Sequence, residues 1–343
     1  MVVSAIVVTY NSARHVGALL DSLANDPHGP DQTVVVDNGS SDATLSVLAE
    51  HGITPLPLSQ NPGYGAACNA GARKADGDVL VFVTPDTRPH DGWIPPLVRT
   101  LSGPDVGAAM ATIELLDQPG RFNTSGGVLT PVGLAWVSDH GEPVPPDDPG
   151  NQAAWPSGAA FAITADVFWS MGGFREDLFM YHEDTDLGWR LAMRGLHVVR
   201  VPDSTVAHDY DFGRNPFKMR HLERNRWRLL MANYRSSTRW LLAPVLLIAD
   251  LGVTVVAARD GWLRAKLQAL GDGVAYRSAR DRRTAQEGRT VGDAPILRAM
   301  SWSMSGNRSV AEPPGVGLAD AITSTWLKVV LPVIAWFDRR AGL

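Results

Sequence analysis

Cysteine is almost absent from this sequence, and its scarcity excludes two kinds of structure. Cys68 is the single cysteine among 343 residues, so the chain forms neither an internal disulfide nor a zinc site built from several thiolates. Basic residues are not in excess either, and the formal net charge of −5 argues against a nucleic-acid-binding protein. The first residues lack the basic region and cleavage site of an export signal. Together these absences predict a protein of a reducing, cytoplasmic compartment.

The N-terminal part of the chain alternates between two hydrophobic periods. Short runs rich in β-branched residues predict strands at Val2–Val8, Thr33–Asp37, Thr54–Leu58 and Val79–Val83. Helical periodicity lies between them, at Ser12–Asn25, Ser41–His51 and Gly65–Lys74. This alternation is typical of right-handed βαβ units and predicts an α/β fold, with a mainly parallel sheet flanked by helices.

Polar residues follow each of the predicted strands. They are Thr9-Tyr10-Asn11, Asp37-Asn38-Gly39, Asn61-Pro62-Gly63 and Asp86. Because ligands of open α/β sheets bind beyond the carboxyl ends of the strands, these residues predict a binding site at one edge of the sheet. The glycines of Gly63–Gly71 do not make a dinucleotide fingerprint, since Cys68 stands at the third glycine position. We expect the small residues there to let the helix approach a ligand closely.

The remainder of the chain has a different character. Gly158–Ile163 predicts a buried strand, Glu183–Gly195 predicts a helix, and the Pro-, Gly- and Asp-rich segment Ser138–Gln152 predicts a mobile loop. Basic and then apolar helical patterns follow, so residues 213–343 are expected to form a helical extension. The polar composition of residues 282–317 predicts a flexible segment within it.

Several segments occur in the order seen in family 2 glycosyltransferases. They are VVTYN, VVVDNGSSD, NPGYGAACNAG, VTPDT, SGAAF, GGFREDLFMYHEDTDLGWR and His208. Over residues 4 to 228 the chain thus resembles this family, and in particular its rhamnosyltransferase-like branch. The resemblance implies a GT-A nucleotide-diphospho-sugar transferase fold. It also implies inverting transfer of a sugar, for instance rhamnose, from a nucleotide-diphosphate donor to an acceptor hydroxyl of a lipid-linked or cell-surface glycan.

The resemblance also divides the chain. It predicts a catalytic domain over residues 1–212, with a nucleotide-sugar-binding half at 1–100 and an acceptor and catalytic half at 101–212. Asp37 is placed to accept the N3–H of uracil or thymine, so we expect a dTDP- or UDP-linked donor. The alternative is that Asp37 starts a turn, and both roles can hold. The other candidate donor contacts are Thr9, Tyr10, Asn11, Asn61, Gly63, Asn69 and Thr84, with a core-edge position as the alternative for Tyr10.

A divalent cation, Mg²⁺ or Mn²⁺, is expected because the departing diphosphate gathers negative charge. Asp86 occupies the place of the family's Asp-x-Asp metal motif, but Thr84 replaces its first acid. His208 matches a family histidine that can complete the metal shell. The alternatives are a turn-capping role for Asp86 and a structural role for His208.

Three carboxylates lie within four residues at Glu183, Asp184 and Asp186. One of them could simply cap the helix, but crowded like charges also raise a pKa and so help a general base. The resemblance implies that Asp184 is the base and that Glu183 supports it. Candidates for the wall around the donor sugar and acceptor are Trp155, Ser157, Gly158 and Gly173, with core packing the alternative for Trp155 and a simple turn the alternative for Gly173.

The apolar run Trp240–Ala258 has nearly the length of a membrane span, but it contains Pro244 and Asp250. An acid at the centre of a span costs about 2.5–3.5 kcal/mol on insertion scales. We therefore expect this helix, aided by a tail helix at Leu318–Phe337, to lie at the inner face of the cell membrane as a peripheral contact. The alternative is ordinary core or homo-oligomer packing.

The alternatives to sugar transfer are a nucleotidyltransferase and a non-catalytic binding protein. A nucleotidyltransferase would need an early basic phosphate loop, and the region Thr9–Leu20 offers only Arg14. A non-catalytic nucleotide-sugar-binding protein of the same fold would be expected to lose the base, whereas Glu183 and Asp184 are both present.

Overall fold

The computed structural model describes residues 1–209, 213, 215–274, 279–304 and 315–343. The chain divides into two compact units. Unit 1 comprises Met1–Gly127, Val137–Gly188 and Leu196–Asp211, and unit 2 comprises Val128–Trp136, Trp189–Gly195 and Phe212–Leu343. Every residue predicted for the active site therefore falls in unit 1.

The strands are β1 (Val3–Thr9), β2 (Gln32–Asp37), β3 (Leu56–Pro57), β4 (Val79–Val83), β5 (Thr87–Pro89), β6 (Val106–Leu115), β7 (Gln118–Thr124), β8 (Gly127–Leu129), β9 (Ala135–Val137), β10 (Asn151–Ala153), β11 (Ala160–Thr164) and β12 (His197–His208). The helices are α1 (Val16–Asn25), α2 (Thr44–Glu50), α3 (Tyr64–Ala72), α4 (Ile94–Thr100), α5 (Ala165–Ser170), α6 (Glu183–Ala192), α7 (Pro216–Asn233), α8 (Ser236–Arg259), α9 (Leu263–Val274), α10 (Ala279–Gln286), α11 (Asp293–Ala299) and α12 (Val316–Arg340). A 3-10 turn lies at Glu176–Leu178.

Most strands of unit 1 belong to one mixed sheet with the order β10-β12-β6-β11-β4-β1-β2-β3. β1 pairs in parallel with β2 and β4, and β2 pairs in parallel with β3, which confirms the predicted α/β arrangement. β11 runs antiparallel to both β4 and β6, so it joins this parallel part to the parallel pair β6 and β12. The carboxyl ends of β1, β2 and β4 consequently lie at one edge.

Apolar side chains fill the central strands, as expected of a sheet that is covered on both faces. All residues of β1 and β4 are buried. Gly71 of α3 lies so close to the sheet that a Cβ there would stand 2.7 Å from Cγ2 of Ile6. Gly71 therefore lets α3 approach the sheet, and it faces the sheet and not the predicted ligand.

Two segments predicted to be mobile contain specific contacts. In Ser138–Gln152, the carboxylate of Asp148 accepts two hydrogen bonds of 2.6 Å from the buried guanidinium of Arg200. Within residues 282–317, α11 is a helix that buries Ile296 and Leu297. Residues 305–314 of that segment lie outside the described residues. Long-range ion pairing and apolar burial supply these contacts, and neither can be read from local composition.

The segment that leads into α6 has an unusual backbone. Phe179, Tyr181 and His182 have φ values of 64°, 67° and 68°, a region that residues other than glycine rarely adopt. Gly63 supports this segment: the N–H of Tyr64 donates to the carbonyl oxygen of Phe179 at 2.7 Å. A Cβ on Gly63 would lie 2.1 Å from that oxygen. Gly63 thus has no room for a side chain.

In unit 2, α8 is largely apolar and contains a single acid, Asp250. Its Oδ1 accepts hydrogen bonds from Arg226 at 2.7 Å, Trp227 at 3.1 Å and Lys266 at 2.5 Å. Arg226 and Lys266 also pair with the buried Glu223, at 3.0 and 2.6 Å. Two cations therefore balance two carboxylates in this cluster, and Asp250 points toward α7 and α9.

We predict that Gly63→Ala destabilises the segment before α6 by more than the strain of placing alanine at a positive φ. The matched control is Gly52→Ala, because Gly52 also has a positive φ, of 69°, but nothing lies within 4 Å of its Cβ position. The control should cost about 1–2 kcal/mol of unfolding free energy, and Gly63→Ala should cost about 1–3 kcal/mol more through overpacking. Denaturant unfolding and amide exchange over 179–185 measure both. Equal stability and equal exchange in the two variants would contradict the proposed support.

Candidate active site

The ends of β1 and β2 place Thr9 directly beside Asp37. Oδ1 of Asp37 accepts hydrogen bonds from Oγ1 of Thr9 at 3.0 Å and from Oγ of Ser40 at 2.6 Å. Its Oδ2 accepts the N–H groups of Ser40 at 3.0 Å and Gly39 at 3.3 Å. The side chain is 4% exposed. These contacts show the turn role of Asp37, and any contact with a base would come in addition to them.

Three further strand-end residues differ in what they contact. Asn11 has a φ of 50°, and its Oδ1 accepts the N–H of Ser41 at 2.8 Å, which ties together the chain after β1 and after β2. Asn61 serves the fold similarly, since its Oδ1 accepts hydrogen bonds from the N–H of Gly63 and from Asn38, both at 2.9 Å. Tyr10 is 50% exposed, so the core-edge alternative for this residue is wrong and its ring is accessible to a ligand.

Glu183 and Asp184 open α6 immediately after the positive-φ segment. Oδ1 of Asp184 accepts the N–H of Thr185 at 2.6 Å, and its Oδ2 would lie 3.6 Å from a Cβ on Gly158. Asp184 is partly accessible at the surface. Glu183 is 8% exposed, and its Oε2 has no hydrogen-bond partner. The pair therefore joins an accessible carboxyl to a buried one.

The third acid of the cluster has a different role. Asp186 is fully buried and pairs with Arg175 at 3.3 Å. Arg175 also pairs with Asp177 at 2.9 Å. A buried carboxylate is stabilised by such a cation, so Asp186 holds the 3-10 turn and α6 together.

The surroundings raise the pKa of both remaining carboxyls. Burial raises the pKa of Asp184, and the hydrogen bonds from Thr185 oppose this effect. Burial also raises the pKa of Glu183, and the negative charge of Asp184 raises it further. Thr185 donates hydrogen bonds to Asp184, and Glu183 is the more deeply buried of the two, so Asp184 loses its proton first as the pH rises, and its charge then opposes ionisation of Glu183. A neutral Glu183 beside an ionised Asp184 is an arrangement that can accept a proton.

Helix α3 supplies the weakly polar surroundings of Glu183. A Cβ on Gly65 would lie 3.7 Å from Cβ of Glu183, and Tyr64 Oη is 3.5 Å from the carbonyl oxygen of Gly158. Burial raises the pKa of Tyr64 and that of the Cys68 thiol, so both side chains are neutral. Tyr64 was not predicted as a site residue from the sequence, although it stands in the NPGYG segment that carries part of the family resemblance.

Asp86 and His208 meet because β5 pairs with β12. Nε2 of His208 lies 3.3 Å from Oδ1 of Asp86. That oxygen and Oγ1 of Thr84 are buried without a hydrogen-bond partner of good geometry. One carboxylate, one imidazole and one hydroxyl fit a divalent cation that diphosphate oxygens complete. No group of three His, Cys, Asp or Glu side chains suited to a metal occurs within the described ranges.

Asn123 orients the ring of His208 from the opposite side. It lies on β7, is buried, and places its Oδ1 3.4 Å from Nδ1 of His208. A proton on Nδ1 would leave the lone pair of Nε2 facing Asp86. No sequence signal marks Asn123, because it reaches His208 only through the pairing of β7 with β6.

Asn69 and Gly173, two predicted ligand contacts, are used by the fold instead. Nδ2 of Asn69 donates to the carbonyl oxygen of Phe174 at 2.8 Å, and its Oδ1 accepts the N–H of Phe174 at 2.9 Å. A Cβ on Gly173 would lie 2.6 Å from that Oδ1. The predicted donor contact of Asn69 is therefore wrong, and Gly173 forms a turn with a positive φ of 74° instead of a wall.

Of the other predicted wall residues, Trp155 packs in the core. It is 8% exposed, and a Cβ on Gly127 would lie 2.1 Å from its ring. Gly188 of α6 backs onto its Cα in the same way, at 2.5 Å. Ser157 and Gly158 lie next in the chain, and Gly158 borders Asp184, as the predicted wall requires.

Comparison with known proteins places this site in a family. The profile described as "Glycosyl transferase family 2" matches residues 4–135. The N-acetylglucosaminyl-diphospho-decaprenol L-rhamnosyltransferase of Mycobacterium tuberculosis is 30% identical over 247 residues, covering 63% of this chain and 79% of that protein. N-acetylgalactosaminyltransferase 6 of Drosophila melanogaster is 26% identical over 246 residues, covering 65% of this chain and 37% of that protein.

Two solved structures share the fold. A mannosyltransferase from Pyrobaculum calidifontis in complex with GDP-Man and Mn²⁺ superposes with a TM-score of 0.50 at 18% identity, covering 98% of this chain and 87% of that one. GalNAc-T7 with UDP, GalNAc and Mn²⁺ superposes with a TM-score of 0.54 at 17% identity, covering 72% of this chain and 51% of that one. Together with the identity to the mycobacterial enzyme, these matches show that the chain is a glycosyltransferase of GT-A fold that belongs to family 2.

Proposed function

We propose that the chain transfers a sugar with inversion and that Asp184 is the general base. The accessible carboxylate of Asp184, beside a buried Glu183 that stays neutral, carries this proposal. The acceptor oxygen bonds to the anomeric carbon while the bond from that carbon to the diphosphate breaks. The acceptor proton passes to Asp184, and the bonding electron pair leaves with the diphosphate.

The proposed donor is dTDP-rhamnose or a UDP-sugar. Support comes from the exposed Tyr10, which follows β1, and from the carboxylate of Asp37 at the end of the neighbouring β2, which could accept the N3–H of a pyrimidine. The mycobacterial relative is named as an L-rhamnosyltransferase. The contacts that Asp37 makes to Thr9 and Ser40 would hold its carboxylate in place for such a base.

Asp86 and His208 are the proposed protein ligands of Mg²⁺ or Mn²⁺. Asn123 would hold the imidazole, and Thr84 lies beside the carboxylate in place of a second acid. When bound there, such a cation would neutralise charge on the departing diphosphate. Since the protein offers few ligands, we expect cation binding to strengthen when a nucleoside diphosphate is present.

The proposed acceptor is a lipid-linked glycan, reached by a chain that lies on the inner face of the cell membrane. α8 and α12 are long and apolar enough to cross a membrane by length and composition. Arg226 and Lys266 bind Asp250, so this acid does not lie on the exposed face of α8. The cost of placing an acid in a membrane therefore does not count against contact through that face. That face exposes Leu247, Leu251 and Val255, at the spacing of one helical stripe.

Asp184→Asn should retain the fold and donor binding but lose transfer by at least about 100-fold, because it removes the basic lone pairs. Glu183→Gln is the matched comparison. Glutamine resembles the neutral glutamic acid, so this variant should lose much less. Transfer assays at saturating donor, with calorimetry of donor binding, separate the two effects. Near-wild-type transfer by Asp184→Asn, or an equal loss in both variants, would remove Asp184 from the role of base.

The same assay has a pH dependence. Proton uptake by Asp184 removes the base, so kcat/KM should fall as the pH drops through its raised pKa. The acidic limb should therefore lie above the ordinary range of aspartic acid, about 3.9. An acidic limb at the ordinary value would show that another group limits the reaction.

Asp86→Asn and His208→Ala should each weaken Mn²⁺ binding in the presence of UDP by about 10-fold or more. Asn123→Leu should weaken it less, since it only frees the imidazole ring. Electron paramagnetic resonance of free Mn²⁺ measures this directly, with UDP, dTDP and GDP compared in parallel. Unchanged Mn²⁺ binding by the first two variants would contradict the assigned ligands, and tighter binding of GDP than of UDP and dTDP would contradict the pyrimidine donor.

A further inference from the structure

Unit 2 contains a polar cavity of about 340 Å³ at the beginning of α8. Three arginines line it, together with Ser236, Ser237 and Gln286. These arginines are Arg235, Arg239 and Arg282, and we call the space the arginine cavity. None of the residues that line it carries a carboxylate.

The cations of the arginine cavity are only partly neutralised by the protein. Arg235 pairs with Asp338 at 3.0 Å. Arg239 donates to carbonyl oxygens of Met231 and Tyr234 and to Oγ of Ser236, all neutral acceptors. Nε of Arg282 is buried without an acceptor among the residues that the structure describes. Two guanidinium groups without a carboxylate partner thus face one space, where an anion would satisfy them.

Further features of the cavity agree with an anionic ligand. Burial and the charge of Arg282 lower the pKa of Arg239, and the charge of Asp293 only partly opposes this effect, so the protein compensates the clustered positive charge incompletely. The N-cap residue of α8, Arg235, makes no side-chain capping hydrogen bond to the first turn, where Ser236 and Ser237 line the cavity. The acceptor of Gln286 is already engaged outside the set of lining arginines, because its Oε1 accepts a hydrogen bond from Arg289 at 2.8 Å.

The position of the cavity identifies the source of the anion. Arg235 also donates to the carbonyl oxygen of Phe337, so the cavity adjoins the end of α12. Aromatic rings are exposed at this end: Trp240 is 81% exposed, and Trp336 lies under the guanidinium of Arg340 at 4.1 Å. Exposed tryptophan beside arginine, at the end of an apolar helical stripe, is typical of the headgroup level of a membrane.

We propose that the arginine cavity binds the phosphate group of an anionic membrane lipid and so fixes the start of α8 at the headgroup level. This inference rests on the membrane contact proposed above and adds a specific ligand site to it. Arg282 is its central residue, because its Nε has no acceptor within the described ranges. A phosphate oxygen pair can accept two parallel hydrogen bonds from one guanidinium, which a lysine cannot reproduce.

The test is co-sedimentation of the full chain with vesicles of phosphatidylcholine, with and without phosphatidylglycerol. Arg282→Gln is compared with Arg283→Gln, its exposed neighbour on α10 that does not line the cavity. Both variants remove one positive charge from the same helix. We expect Arg283→Gln to weaken binding to anionic vesicles by up to about fivefold, the effect of one surface charge. Arg282→Gln should weaken it at least about tenfold more, through lost charge-assisted hydrogen bonds.

Arg282→Lys keeps the charge and should recover only part of this loss. Equal losses in Arg282→Gln and Arg283→Gln would contradict the site, as would equal binding of wild-type chain to neutral and anionic vesicles. Failure of the wild-type chain to bind any vesicle would contradict the membrane contact itself. Calorimetry with pyrophosphate tests whether the ligand is a free anion. If pyrophosphate binding depends on Arg282 but vesicle binding does not, the cavity binds a free anion and the proposed lipid ligand is wrong.

Discussion

The close placement of two carboxyls at the start of α6, one buried and one partly buried, is the constraint on which the site depends. Glu183 and Asp184 lie side by side, and Arg175 is already bound by Asp177 and Asp186. Burial therefore disfavours their charge, and the cost is smallest when one of them keeps its proton. Asp184 can then be ionised and accessible while Glu183 remains neutral beneath it. The proposed transfer depends on this difference in protonation, because only the ionised Asp184 can take the acceptor proton.

A series of contacts holds this pair at the edge of the sheet. Asn61 joins the end of β2 to Gly63, and Gly63 leaves just enough room for the backbone of Phe179. The positive-φ residues that follow turn the chain so that α6 begins beside Gly158. These contacts thus determine the position of Glu183 and Asp184 at the edge of the sheet.

Much of unit 1 could be predicted from local sequence. The β-branched runs predicted β1, β2 and β4, and the polar residues after them predicted the edge where the site lies. Asp86 and His208 were expected to meet, and the pairing of β5 with β12 brings them within 3.3 Å. What local patterns could not show was how each polar group is used. Asn69 finds its partner far along the chain, at Phe174, and Asp186 pairs with Arg175 across the turn that precedes α6; neither partner can be read from the local pattern.

The same holds for unit 2, where the sequence showed an apolar helix with an acid inside it but not the direction in which Asp250 points.

The proposed transfer is a single displacement with Asp184 as base. Proton NMR of the first product formed, with dTDP-rhamnose or a UDP-sugar as donor, tests it most directly, because the anomeric signals report the configuration. A single displacement gives a product whose anomeric configuration is inverted relative to the donor. A retained configuration would contradict the proposed mechanism.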